Sequence, residues 1–183
     1  FADETGVIRR LGRDELLLYL QVIATAGSET TTRLLGWAGK VLAEHPDQRH
    51  TLVTNRTLLP SAIEELLRFE PPAPHVSRYV TCDVEYYGRS VPAGSAMMLM
   101  VGAANRDPRR FGEDSDCFNI HREPRQHVSF GVGTHFCLGN ALARLEGRVA
   151  LDEILDRFPE WEVDLSNAEL SPTSTVSILA SGT

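Results

Sequence analysis

From Arg13 to His45 apolar residues recur at steps of three and four: Leu16, Leu17, Leu20, Ile23 and Ala24, then Leu34, Leu35, Ala38, Val41 and Leu42. That period marks one face of a helix, which Pro46 stops, and Asp14 stands where an N-cap is expected. About 32 residues rising 1.5 Å each span roughly 48 Å, longer than a small globule is wide, so this helix is expected to cross a body larger than the chain itself. Asp47 to Thr54 reads as a short helix. Leu59 to Phe69, "LPSAIEELLRF", reads as another, closed by "EPPAP", whose prolines cannot extend it.

The pattern then changes. "SRYVTCDVEYYGRSVPAGSAMMLMV" is rich in β-branched and aromatic residues and is broken by Gly88 and by Pro92, Ala93 and Gly94, which predicts two or three short strands joined by turns. Ala103 to Thr134 has little periodicity, and so long an irregular segment is usually functional or wrapped on the core. A helix resumes from Leu138 to Phe158, and "WEVDL" predicts a last strand. Without a repeat or a low-complexity tract, residues 1–183 are expected to form a single partial domain with no internal boundary, mainly α with small β-sheets.

Composition narrows the function classes. Apolar residues make up 42% and charged residues 23%, ordinary for a soluble protein, and no apolar run approaches the roughly 20 residues of a membrane span. The net charge of −7 disfavours nucleic-acid binding, which needs a basic surface. Cys82, Cys117 and Cys137 are an odd number in unlike contexts, which argues for a reducing compartment and a cytoplasmic location. The chain opens on Phe1, and "FADETGVIRRLG" lacks the basic start and apolar centre of a signal peptide, so a front truncation is expected.

Three stretches carry candidate chemistry. In "FGVGTHFCLG", residues 130–139, a cysteine stands behind two glycines and a histidine where a helical pattern begins, a place where free backbone N–H groups stabilise a metal-binding thiolate. Gly131 and Gly133 let the loop turn tightly and approach a flat ligand, and Gly139 keeps the first helical turn thin. The alternatives are a buried structural thiol, or zinc held among His121, His127, His135 and Cys137, whose spacings are not those of a finger or ribbon. In "AGSETT", Ala26 to Thr31, glycine and threonines weaken a helix interior. A bond from the Thr30 hydroxyl to the Ala26 carbonyl, with the missing side chain of Gly27, would make a notch there; close helix packing is the competing explanation. In "EELLR", Glu65 and Arg68 share one helix face.

The cysteine loop resembles the haem-binding loop of the cytochromes P450 at each defined position. The resemblance implies that Cys137 is the proximal ligand of haem b (iron protoporphyrin IX), its thiolate pushing electron density toward iron to favour O–O cleavage. It also implies that Phe130 shields the sulfur, that Gly131 and Gly139 border the haem, and that His135 and Arg78 bond its propionates. "AGSETT" is similar to the family's oxygen-activating motif, which places Ala26 and Gly27 against the haem and makes Glu29 and Thr30 the acid and alcohol that relay protons. Glu65 and Arg68 then correspond to the family's buried ion pair. Cys117 stands where many members carry an arginine joining that pair, and Arg122 is a candidate replacement.

The order of these features resembles the C-terminal half of the soluble bacterial-type fold, from near Asp14 to Asp164, with the N-terminal half missing and a short polar end, "STVSILASGT", where members complete a hairpin. The implied function is a haem-thiolate monooxygenase that activates dioxygen to oxidise a small organic substrate. Electrons would come from a ferredoxin or flavodoxin-like donor with its reductase, docking near Arg125, Arg144 and Arg148; those arginines are equally readable as a solvated helix face. A non-catalytic haem-thiolate sensor or carrier, and a fragment that does not load haem, are the competing readings.

Overall fold

In the computed structural model, which describes Gly6, residues 8–122 and residues 127–166, the chain forms six α-helices and four short strands among the described residues. Helix α1 spans Arg13–Glu44, α2 Pro46–Thr54 and α3 Leu59–Phe69. Strands β1 (Val76–Tyr79), β2 (Val84–Tyr86), β3 (Arg89–Val91) and β4 (Ala96–Leu99) follow, then α4 (Val101–Ala104), α5 (Pro108–Phe111) and α6 (Asn140–Arg157).

Helix α1 is capped two residues before the expected Asp14. Gly12 is the N-cap, and Glu15 reaches back to accept its N–H at 2.7 Å while pairing with Arg9, so the reciprocal half of a capping box stands in for a side-chain cap. At the far end the His45 Nδ1 lies 2.8 Å from the Val41 carbonyl, and Pro46 opens α2 at a position where its missing N–H costs nothing.

The core collects the C-terminal half of α1 (Leu34, Ala38, Val41, Leu42), Leu52 of α2, and Leu59, Ala62, Ile63, Leu66 and Leu67 of α3. Leu151 and Leu155 of α6, with Phe118, Ile120 and Phe130 from the irregular segment, complete it. Each of these is at most 9% exposed. The N-terminal half of α1 differs: Leu16, Leu17, Leu20 and Ile23, expected on the packed face, are 45–55% exposed. The period that builds this face is present, but no described element lies over it.

The strands make two antiparallel pairs rather than one sheet. β1 pairs with β4, Arg78 opposite Met97, and β2 pairs with β3 as a hairpin. Its turn residues Tyr87 and Gly88 both have positive φ, 50° and 73°, the primed geometry whose twist suits adjacent strands. The expected strand at "WEVDL" is not formed. Trp161 instead donates its indole N–H to the Gly39 carbonyl at 2.8 Å, and Arg49 stacks on its ring at 4.6 Å while bonding its carbonyl, so side chains, not a ladder, hold this segment to α1 and α2. The terminal stretch "STVSILASGT" lies outside the described residues.

Candidate functional site

The segment before α6 is folded around its own backbone. Gly131 and Gly133 take φ of +70° and +68°, where a side chain would be strained, and from Gly133 the loop makes a single 3₁₀ turn, Gly133–His135. The Cys137 N–H donates to the Phe130 carbonyl at 2.8 Å, closing the loop. The Cys137 carbonyl in turn accepts from the Asn140 side-chain amide at 2.8 Å. Gly139 is the N-cap of α6, so Cys137 stands two residues ahead of the cap, at the helix end where first-turn N–H groups lack intrahelical partners. Cys137 is a free, half-buried cysteine, and a Cβ added at Gly139 would come within 3.9 Å of its sulfur. Phe130 is buried, whereas Val132, Phe136 and Leu138 are 72%, 50% and 78% exposed, an apolar surface flanking the thiol. His135 is exposed.

Glu65 and Arg68 of α3 are fully buried and meet as a fork, Nε to Oε2 and Nη2 to Oε1, each at 2.7 Å. The remaining donors of Arg68 go to the carbonyls of Asn105 (2.9 Å), Ser115 (2.7 Å) and Cys117 (3.1 Å). Arg122 donates to Glu65 at 3.3 Å, taking the place for which it was a candidate, while also binding the carboxylate of Asp114. Cys117 contributes only its backbone.

Asn105, which the sequence did not single out, links this network to the cysteine loop. It is fully buried; its side chain accepts from the Val128 N–H at 2.8 Å and donates to the Ser129 hydroxyl at 2.7 Å, and that hydroxyl donates to the Leu67 carbonyl at 2.6 Å. Its position in "NRDP", at the end of a short apolar run, is the one signal that could have marked it.

A second charged group lies on the same side. Glu64 of α3 accepts from Arg144 of α6, Nη2 to Oε2 at 3.0 Å, and lies 3.1 Å from the ring nitrogen of His127. Burial pushes the Glu64 carboxyl up, but the hydrogen bonds from His127 and Arg144 outweigh it and hold the carboxyl at about 2. Arg144, one of the arginines named for donor docking, is thus paired with Glu64, with its side chain 36% exposed. Arg148 is exposed, and Arg125 lies outside the described residues.

In α1 the Thr30 hydroxyl donates to the Ala26 carbonyl at 2.6 Å, as the pattern predicted, and Thr32 does the same to Ser28 at 2.9 Å. Nothing lies within 4 Å of a Cβ added at Gly27, and Ala26 and Gly27 are exposed, so this stretch presents an open notch. Glu29 pairs with Arg33 at 3.0 Å, and Thr31 bonds Glu146 of α6 at 3.0 Å, fixing the notch against the helix that follows Cys137. Arg78 sits exposed on β1, donating to the Ser77 carbonyl. Among the described residues no group of three or more His, Cys, Asp or Glu side chains converges as a metal site, and His127, one of the zinc candidates, is held by Glu64.

Comparison with known proteins agrees with this geometry. The family model described as Cytochrome P450 matches residues 48–181. A steroid C26-monooxygenase of Mycolicibacterium smegmatis is 42% identical over 170 residues, covering 92% of this chain and 42% of that protein. A 6-deoxyerythronolide B hydroxylase of Saccharopolyspora erythraea is 41% identical over 150 residues, covering 82% of this chain and 37% of that protein. The crystal structure of CYP109E1 from Bacillus megaterium in complex with testosterone superposes with a TM-score of 0.83 at 37% identity, covering 93% of this chain and 46% of that one. The chain thus spans less than half the length of these relatives.

Proposed function

The chain belongs to the cytochrome P450 family, whose members are haem monooxygenases, and on that premise we propose that it supplies the haem-ligating half of an oxygenase acting on a small organic substrate. Cys137 is the residue assigned to iron. The observation that carries this reading is the loop itself: a free, half-buried sulfur at the head of α6, closed by its own backbone bonds and bordered by the exposed apolar side chains of Val132, Phe136 and Leu138.

These residues fit a haem. A thiolate is a good iron ligand, an apolar rim suits a flat macrocycle, and the exposed cationic or polar ends of Arg78 and His135 suit its propionates. When bound, haem supplies the reductive activation of dioxygen. The protein's part is to hold and to deliver protons. Phe130, which is buried, would cover the sulfur, and Gly131 and Gly139 would allow close approach of the haem. The notch of Ala26 and Gly27 leaves room for dioxygen and water, and Thr30, whose hydroxyl proton is directed at the Ala26 carbonyl, keeps its oxygen lone pairs available to orient a water there. Glu29 is the acid beside it, held by Arg33.

The bare apolar faces of α1 and α6, including Leu142 and Val149, support a working protein longer than these residues. Electrons would enter from a ferredoxin or flavodoxin-like donor with its reductase. A cytoplasmic setting is supported by the three free cysteines, and no described helix is long and apolar enough to cross a membrane.

The test is spectroscopic. Loaded with haem, reduced and exposed to carbon monoxide, the intact protein is expected to give a thiolate-type Soret band that Cys137→Ser loses. Retention of the band in Cys137→Ser would remove the assignment. Thr30→Ala is expected to leave the band in place while diverting consumed dioxygen from product to peroxide.

A further inference from the structure

The group formed by Glu64, His127 and Arg144 is unused by this reading, yet it reaches the cysteine loop from two sides. The Arg144 guanidinium lies 4.5 Å over the Phe130 ring, and the Phe130 carbonyl accepts the Cys137 N–H at 2.8 Å. The same guanidinium donates to the Asn140 side-chain oxygen at 2.9 Å, and the Asn140 amide donates to the Cys137 carbonyl at 2.8 Å. One cation therefore braces both peptide groups of the residue that carries the sulfur. Behind it, Glu64 fixes the guanidinium from α3, and His127 fixes Glu64 while its ring lies 5.8 Å from Phe130.

The side chains of His127, Glu64 and Arg144 are 3%, 27% and 36% exposed, so this is not a solvated surface pair. Arg144 is raised above its ordinary value, first by the Glu64 hydrogen bond, against burial, with a last contribution from Cys137.

We propose that Glu64 and Arg144, with His127 behind them, are positioning residues that brace the Cys137 loop and set the electrostatic field at its sulfur. The inference rests on Cys137 being the iron ligand. Arg144 is one contact from Cys137 through either Asn140 or Phe130, and Glu64 is one contact further, so the two charges act on the iron with opposite signs. A cation near the ligand favours the reduced state, which carries one more electron, and an anion opposes it.

The experiment measures the ferric–ferrous equilibrium of the intact, haem-loaded protein and of three variants. Arg144→Gln is expected to shift the equilibrium about tenfold toward ferric, about 59 mV for a one-electron couple. Glu64→Gln, which keeps the shape and one acceptor for Arg144, is expected to shift it several-fold toward ferrous. Arg144→Lys keeps the charge and loses the planar fork and ring stacking, so its potential is expected to stay near the parent's while its carbon monoxide complex loses the thiolate-type band faster on standing. Damage to the fold alone would move both glutamine variants in the same direction. Shifts of the same sign, or no shift in either variant while the parent shows the thiolate band, would overturn the inference. A parent without that band would overturn the ligand assignment, and this inference with it.

Discussion

Arg122 meets Glu65 across 57 positions of sequence, its Nε 3.3 Å from Oε1, and so closes a buried network that the helical spacing of Glu65 and Arg68 could only begin. The carboxylate also receives the Asn119 N–H at 3.0 Å, and Arg68 spends its remaining donors on three backbone carbonyls. Every buried side-chain nitrogen and oxygen among the described residues has a hydrogen-bond partner.

Removing one member of this network leaves a buried charge alone. Arg68→Ala is expected to cost about 3–5 kcal/mol, and Arg122→Ala, from a more exposed position, about 1.5–3 kcal/mol. Replacing both charges by Glu65→Leu with Arg68→Met is not expected to restore stability, because the carbonyls of Asn105, Ser115 and Cys117 would lose their donor. Denaturant midpoints of the intact protein measure all three, and a double variant as stable as the parent would contradict this account.

Asn105 carries the network into the cysteine loop. Asn105→Ala strips the side-chain partner from the Val128 N–H, at about 1–3 kcal/mol for a polar group left unpaired, and removes the amide that Ser129 accepts while the Ser129 hydroxyl keeps its bond to Leu67. Amide hydrogen exchange is expected to quicken at Val128 while the α3 amides change less. Unchanged protection at Val128 would show that the loop is held by something else.

Gly147 lets α6 sit close to α1 and α3. A methyl group there would come within 3.1 Å of Leu34 Cδ2 and 3.2 Å of Ile63 Cδ1, and both of those side chains are 1% exposed. Overpacking costs about 1–3 kcal/mol, against a gain of about 1 kcal/mol from the better helix former. Gly147→Ala is therefore expected to destabilise by roughly 1 kcal/mol net, read as a lower thermal midpoint; a rise would mean that helix propensity wins.

Glu64 links stability to pH. Its carboxyl falls from an ordinary 4.5 to about 2 in the folded protein, so the ionised form contributes stability that is complete above about pH 4.5 and is lost as the pH falls toward 2. In acid titration of stability, Glu64→Gln is expected to flatten that window. The lowered carboxyls of Asp107 and Asp114 keep part of the slope in both proteins. Identical slopes in parent and variant would remove Glu64 from the linkage.

What the sequence determined by itself is local. Leu59–Phe69 has the bounds its period and its prolines predict, the Thr30 bond to Ala26 is a four-residue effect, and the order of glycines, histidine and cysteine in residues 130–139 identifies the family's loop. Tertiary structure decided the rest. Glu64 and Arg144 are 80 positions apart, and which of their neighbours faces solvent depends on how α6 lies across α3. "WEVDL" has a strand's alternation, but the indole of Trp161 bonds a carbonyl on α1 and its backbone pairs with no described strand. The front of α1 has the period of a buried face and stays bare, because periodicity says which residues share a side of a helix, while burial requires a second surface to cover it.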